Sequence, residues 1–123
     1  MKAGGRNRVV LVTCGTLSES RKIARDVVQR RLAACVNVVR SPMNSYYVWK
    51  GKLEVAREYL LVMKTTRNRL AELEKGVKRL HSYEVPEFIA LPVAAGSRDY
   101  LTWLDSSVQR RGERKPGARP SHV

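Results

Sequence analysis

Short apolar runs and helix-spaced apolar positions alternate along the chain, and this alternation predicts its strands and helices. Val9 to Cys14 is an apolar, β-branched run that ends at a glycine, which predicts a buried strand. Thr16-Leu-Ser-Glu19 follows and matches a capping box. In such a box the threonine hydroxyl accepts a backbone N–H one turn on, and the Glu19 carboxylate reaches back. Apolar residues at helical spacing continue to Leu32, so a first helix is predicted here.

The remainder of the chain repeats the same alternation of strand and helix patterns. Further strands are predicted at Ala34–Val39, Asn44–Trp49, Leu53–Thr66 and Phe88–Val93. A tight hairpin turn is predicted at Lys50-Gly51-Lys52, because glycine supports the positive φ that such turns require. Helices are predicted at Arg67–Leu80, where the apolar residues are spaced 3-4-3, and at Tyr100–Val108.

The predicted order is β-α-β-β-α-β followed by a short C-terminal helix. It indicates an α+β protein with the ferredoxin-like arrangement, an antiparallel sheet covered by two helices. Many unrelated functions share this fold, so it does not name one. The 123 residues fit one domain, predicted at 9–108, with a flexible N-terminus at 1–8. Residues 109–123 are rich in proline, glycine and basic residues and predict a disordered basic tail.

The net charge of +13 raises the possibility of a nucleic-acid partner. Five of the basic residues lie in the predicted tail, and no RNP-like motif is present, so no specific nucleic-acid binding is expected. No apolar run approaches the ~20 residues of a membrane helix, and no membrane association is expected. The N-terminus lacks a secretory signal, and two cysteines are too few for a disulfide framework. A cytoplasmic protein is therefore predicted.

Several segments resemble signature stretches of the CutA divalent-cation tolerance family. They are Arg31–Asn37, Ser45–Glu54, Glu58–Thr65, His81–Glu87 and Tyr100–Trp103. The resemblance implies a tight homotrimer in which strands pair between subunits, and a role in tolerance of divalent cations, notably copper. It implies no catalytic reaction, so the protein is not expected to be an enzyme.

The candidate metal ligands are His81, Glu87 and Cys14. His81 follows the predicted second helix, and imidazole together with carboxylate can bind copper or zinc. The alternative for His81 is a histidine that caps the helix by bonding its last carbonyls. Cys14 precedes a helix, where N–H dipoles lower a thiol pKa, although packing is the alternative. The other histidine, His122, lies in the predicted tail. Copper or another divalent cation is therefore expected to bind weakly, at a site that a neighbouring subunit could complete.

A second hypothesis follows from the resemblance of the family's trimer to the PII nitrogen-signalling proteins. It is a trimeric sensor that binds a small anionic ligand in an intersubunit cleft and signals to an unidentified protein partner. Lys64, Tyr83 and Trp49 are its candidate ligand-binding residues. The aromatic residues are otherwise expected to pack against a helix or subunit, and Glu58 and Glu87 to serve as salt-bridge partners. An RNA-binding sheet is disfavoured, because the trimer would cover it.

Overall fold

The computed structural model describes residues 1–110, and the predicted basic tail lies outside them from residue 111 onward. The elements are β1 (Lys2–Ala3), β2 (Asn7–Cys14), α1 (Leu17–Gln29), β3 (Cys35–Val38), β4 (Met43–Trp49), β5 (Lys52–Thr66), α2 (Leu70–Leu80), β6 (Ile89–Pro92), β7 (Ala95–Gly96) and α3 (Arg98–Ser107). Every strand and helix that the apolar pattern predicted is present, with boundaries shifted by a few residues. A 3₁₀ turn at Arg67–Arg69 opens the second helical segment.

The main sheet is antiparallel, with the strand order β3-β5-β2-β6. Strands β2 and β3 both pair antiparallel with β5, so they run parallel to each other with β5 between them. Strands β5 and β6 flank β2 in the same way. Each β-α-β unit is therefore split by a strand of the other unit, which joins the two halves of the chain into one sheet.

Helices α1 and α2 contact each other and cover one face of this sheet. Val10, Val12 and Cys14 alternate along β2 toward these helices and are completely buried. Leu61 and Met63 of β5 continue the same layer. Because strand side chains alternate between faces, Cys14 ends this buried row, with its thiol beneath the start of α1.

Strand β5 extends beyond the sheet and forms a two-stranded arm with β4. Their pairing runs from Met43 opposite Glu58 to Trp49 opposite Lys52. Lys50 and Gly51 both have positive φ, 52° and 79°, which is the type I′ geometry that suits a two-residue hairpin. The arm extends past the part of the sheet that α1 and α2 cover.

The N-terminal residues differ from the flexible segment that the sequence predicted. Strand β1 pairs with β7, and β2 begins at Asn7. The Asn7 side chain is buried and donates a hydrogen bond of 2.7 Å to Asp105 in α3. Lys2 and Arg6 also pair with Asp105. Polar contacts with a distant helix hold this segment, and no local apolar pattern signals them.

Candidate functional site

The C-terminal end of β2, the first turn of α1 and the end of α2 converge on one cluster of side chains. Cys14 is the last residue of β2, Glu19 lies in the first turn of α1, and His81 immediately follows α2. One ligand atom from each residue lies within 4.8 Å of the others. Within residues 1–110, this is the one group of three or more His, Cys, Asp or Glu residues placed closely enough to share a metal ion.

The N-terminal cap of α1 places Glu19 in this cluster. The Thr16 hydroxyl accepts from the Glu19 backbone N–H at 3.1 Å, as the capping box predicted. The other half of that prediction is wrong, since the Glu19 carboxylate does not reach back to the cap residue. It accepts from the backbone N–H and the hydroxyl of Ser82, at 3.0 and 3.2 Å. Donors from the loop after α2 are available in the folded chain, so the carboxylate ties that loop to α1.

His81 is held in one orientation by hydrogen bonds at both ring nitrogens. Its side chain is completely buried. Nδ1 accepts from the Tyr83 backbone N–H at 3.1 Å, so the proton of the neutral ring resides on Nε2. Nε2 then donates to the Thr13 carbonyl at 2.7 Å. His81 is the C-cap of α2, as the capping alternative predicted, but it caps through its backbone N–H, which donates to the Val77 carbonyl at 3.0 Å. Its ring bonds across to β2 instead.

The Cys14 thiol is fully buried, with its Sγ 3.7 Å from His81 Nε2. Desolvation by burial, together with the charges of the Glu19 and Glu58 carboxylates, raises the pKa of Cys14 to about 11, although a hydrogen bond with Ser20 acts to lower it. The lowered pKa expected from its position before a helix is wrong, because burial outweighs the helix dipole. At neutral pH Cys14 is a protonated, unreactive thiol.

Alkaline pH should destabilise the protein through Cys14. The folded pKa of about 11 exceeds the ordinary thiol pKa of 9.0, so this thiol's contribution is fully present below pH 9 and is lost as pH rises through 11. We expect the free energy of unfolding to fall by about 2 kcal/mol more in the wild type than in Cys14→Ala between pH 8 and 11. Urea titrations across this range measure it. A difference between the two proteins that does not change with pH would contradict the buried thiol.

A cavity of about 580 Å³ adjoins the cluster, between the β4–β5 arm and the loop that follows α2. Thr13, Glu58 and Pro86 line it and are buried. Tyr83 also lines the cavity, and its ring packs against the His81 imidazole with centroids 4.8 Å apart. Desolvation, together with a hydrogen bond to the Glu58 carboxylate, raises the pKa of Tyr83 to about 12, so its phenol stays protonated and donates to Glu58.

The residues predicted from sequence fall in three places. Cys14 and His81 come together in the cluster, as the metal hypothesis requires. Glu87, Tyr83 and Trp49 line the adjoining cavity. Lys64 lies elsewhere: it pairs with Val9, five positions along β2 from Cys14, or about 17 Å away. Its amino group bonds the Asn37 side chain.

Two carboxylates of the site were not predicted as site residues. Glu19 was predicted to act as a cap and Glu58 as a salt-bridge partner, yet Glu58 forms no ion pair within residues 1–110. The signal that could have identified Glu58 is the register of the β4–β5 hairpin. That register places Glu58 on the same face as Tyr47 and Trp49.

Comparison with known proteins gives a consistent match over most of the chain. Residues 8–107 match the family described as CutA1 divalent ion tolerance protein. The divalent-cation tolerance protein CutA of Thermus thermophilus is 47% identical over 96 residues, which are 78% of this chain and 92% of that protein.

Solved structures agree in fold. The divalent cation tolerance protein Cut A1 from Thermus thermophilus superposes with a TM-score of 0.81 at 44% identity, covering 84% of this chain and 99% of that one. The CutA of Archaeoglobus fulgidus, described as a periplasmic divalent cation tolerance protein, superposes with a TM-score of 0.80 at 35% identity. The match covers 84% of this chain and 99% of that one.

Proposed function

The chain belongs to the CutA1 divalent ion tolerance protein family, and from this premise we propose that it binds a divalent transition metal, copper first, through Cys14 and His81. The observation that carries the proposal is the 3.7 Å between Cys14 Sγ and His81 Nε2. Sulfur and nitrogen ligands at about 2.3 and 2.0 Å from a tetrahedral ion lie about 3.5 Å apart. The two donors therefore need little movement to share one metal.

Glu19 supports the histidine from its other side. Its Oε2 lies 3.6 Å from His81 Nδ1, on the opposite side of the ring from Cys14. A ligating histidine commonly donates its second N–H to a carboxylate, which fixes the ring and raises its basicity. A metal held at Nε2 would require the ring proton to lie on Nδ1, which would then lose its bond from the Tyr83 backbone N–H and would donate to Glu19 instead.

Two features of the metal-free cluster oppose binding and make the affinity modest. The Cys14 proton must leave a buried thiol, and the His81 ring must give up its hydrogen bonds with the Thr13 carbonyl and the Tyr83 backbone N–H. Both changes cost free energy that a preformed, deprotonated site would not require. Glu87 is not proposed as a metal ligand. It lines the adjoining cavity, as Tyr83 does, and is not part of the cluster of Cys14, Glu19 and His81.

The donor set favours copper and zinc over calcium or magnesium. Thiolate and imidazole suit borderline and soft metals, and copper heads the divalent affinity order. Zn(II) is the cleaner probe of the site, since it cannot oxidise the thiol during a titration.

Zinc binding should release one proton per metal at pH 7.5, because the Cys14 thiol is protonated there. Moving the His81 proton between ring nitrogens releases none. Calorimetric titrations in buffers of different ionisation enthalpy measure this stoichiometry. The affinity should rise about tenfold per pH unit between 7 and 9. Proton release near zero, with a pH-independent affinity, would exclude Cys14 as a ligand.

We infer that the subunit has the ferredoxin-like arrangement and assembles as a homotrimer. The split β-α-β units support the first inference. The second is supported by the apolar patch on one face of the arm, whose four side chains are 55–70% exposed. They are Tyr46, Val48, Leu53 and Val55. A contiguous apolar surface on a long strand invites pairing with another chain unless it is covered.

A cytoplasmic location remains our proposal. Cys14 and Cys35 are both free thiols in the structure, which suits a reducing compartment. None of the helices within residues 1–110 has the length and apolar character to cross a membrane. The related Archaeoglobus protein is described as periplasmic, so fractionation of cells that express the chain with its own N-terminus is the direct test.

The alternative proposal is a trimeric sensor of a small anion, similar to PII proteins. The cavity of one chain does not favour it, because carboxylates line that cavity. Basic residues gather instead beside a separate groove of about 460 Å³ on α1, lined by Arg21, Lys22 and Arg25. Titration with pyrophosphate separates the two proposals. The sensor proposal predicts that this anion binds, whereas the metal proposal predicts no binding at the cavity.

A further inference from the structure

The cavity beside the arm is acidic in a chain whose net charge is +13. Glu58, Glu84 and Glu87 line it, and no lysine or arginine of the described chain does. Burial and the Glu58 charge raise the pKa of Glu87, which shows that the carboxylates affect one another. The local field therefore favours a cation over an anion.

Glu58 is a buried carboxylate that lacks a positively charged partner among the described residues. The residue is only 6% exposed, and no lysine, arginine or histidine within residues 1–110 pairs with it. The Tyr83 phenol supplies a neutral hydrogen bond. A buried carboxylate is normally paired or bound to a cation, because burial without a counter-charge costs several kcal/mol. Its place in the wall of a cavity makes it accessible to a cation that enters.

Aromatic rings surround the same space. The register of β4 against β5 pairs Met43 with Glu58, and alternate residues along β4 then place Tyr47 and Trp49 on the face that carries Glu58. On the opposite side of the cavity lies Tyr83, which belongs to the loop after α2. The faces of Trp and Tyr rings attract ammonium groups, most strongly where water is excluded.

We propose that this cavity binds an organic ammonium ion, with its charged head against Glu58 and its apolar body against Tyr47 and Trp49. The volume of about 580 Å³ suits a small organic molecule and greatly exceeds that of a bare metal ion. The aromatic walls have no use in a site for Mg²⁺ or Ca²⁺, which prefers oxygen donors alone. This ligand is distinct from the metal at Cys14 and His81, since neither of those residues lines the cavity, whereas the Tyr83 ring that packs against His81 does.

The probe is 2-phenylethylammonium, compared with 2-phenylethanol and 3-phenylpropanoate. The three share an aromatic body and differ in being cationic, neutral and anionic. Calorimetric titration of the full-length protein should show binding of the cation, at least about tenfold weaker binding of the alcohol, and none of the anion. Binding of the cation should weaken as salt increases, because part of the attraction is electrostatic.

Glu58→Gln should weaken binding of 2-phenylethylammonium at least about tenfold, since it removes the charge and keeps the shape. Glu74→Gln is the matched control, because Glu74 pairs with Lys78 on the exposed side of α2 and should bind like the wild type. Trp49→Leu provides a second test on an exposed residue, and it should weaken the cation more than the alcohol.

Equal binding of the cation to wild type, Glu58→Gln and Trp49→Leu would overturn the proposal. So would stronger binding of 3-phenylpropanoate than of the amine. If Glu58→Gln abolishes Zn(II) binding while no amine binds, the cavity holds metal and the proposal fails. Cys14→Ser should keep amine binding while losing zinc binding. This variant therefore tests the metal proposal without affecting the test of the amine proposal. If only a side chain of a neighbouring subunit fills the cavity, free amine does not bind and Glu58→Gln weakens the assembly, which also overturns it.

Discussion

Replacing Cys14 by serine should lower the affinity for Zn(II) at least about 100-fold. The thiolate is the strongest donor in the cluster, and a serine hydroxyl keeps the size while supplying almost no metal affinity at neutral pH. His81→Gln should have an effect of similar size, because glutamine offers no imidazole nitrogen. Anaerobic calorimetric titration measures both, and copper should follow the same order.

Three matched variants locate the effect. Cys35→Ser removes the other thiol, which lies on the opposite face of the sheet, as the pairing of Cys35 with Lys64 shows. Glu87→Gln removes a carboxylate of the cavity, and deletion of residues 109–123 removes His122. All three should bind zinc like the wild type. If Cys14→Ser keeps full affinity while the deletion loses it, the metal binds in the tail.

Replacing Leu53 and Val55 together by lysine should dissociate the trimer into monomers. These side chains are 70% and 55% exposed on one face of the arm, and the trimer proposal has them covered by a neighbouring subunit. Two lysines would have to be buried there without partners, at a cost of several kcal/mol per interface. Light scattering should change from about three times the 14.0 kDa of one chain to the mass of one chain.

Val28→Lys is the matched control for the arm. Val28 is an apolar residue of α1, 39% exposed, that lies outside the arm. The control should keep the trimeric mass and a thermal stability close to that of the wild type. A wild-type mass of one chain, or a double variant that stays trimeric, would show that the arm does not mediate assembly.

The periodic elements could be predicted because each depends on its own local sequence. The β-branched run before Gly15 predicts a buried strand, and the 3-4-3 spacing of apolar residues in α2 predicts a helix with one buried face. The positive φ of Gly51 follows from its place in a two-residue turn. Strands β1 and β7 have two residues each and carry no such pattern.

The site could be predicted only in part, because its geometry depends on pairing between distant segments. Thiol and imidazole groups can bind metals wherever they lie in a fold. The residue types of Cys14 and His81, and their positions beside helices, were therefore enough to predict them as metal ligands. Glu19 was read as a cap because its tertiary partner, Ser82, is 63 residues away. The local sequence predicts only a salt-bridge partner at Glu58, because the burial of this residue depends on the β4–β5 register.

The most direct test of the metal site is the X-ray absorption spectrum at the zinc edge of the zinc-loaded, full-length protein. The Cys14–His81 assignment predicts a first shell with one sulfur at about 2.3 Å and at least one imidazole nitrogen at about 2.0 Å. The sulfur should disappear in Cys14→Ser and persist in Cys35→Ser. A wild-type first shell made only of nitrogen and oxygen would contradict it.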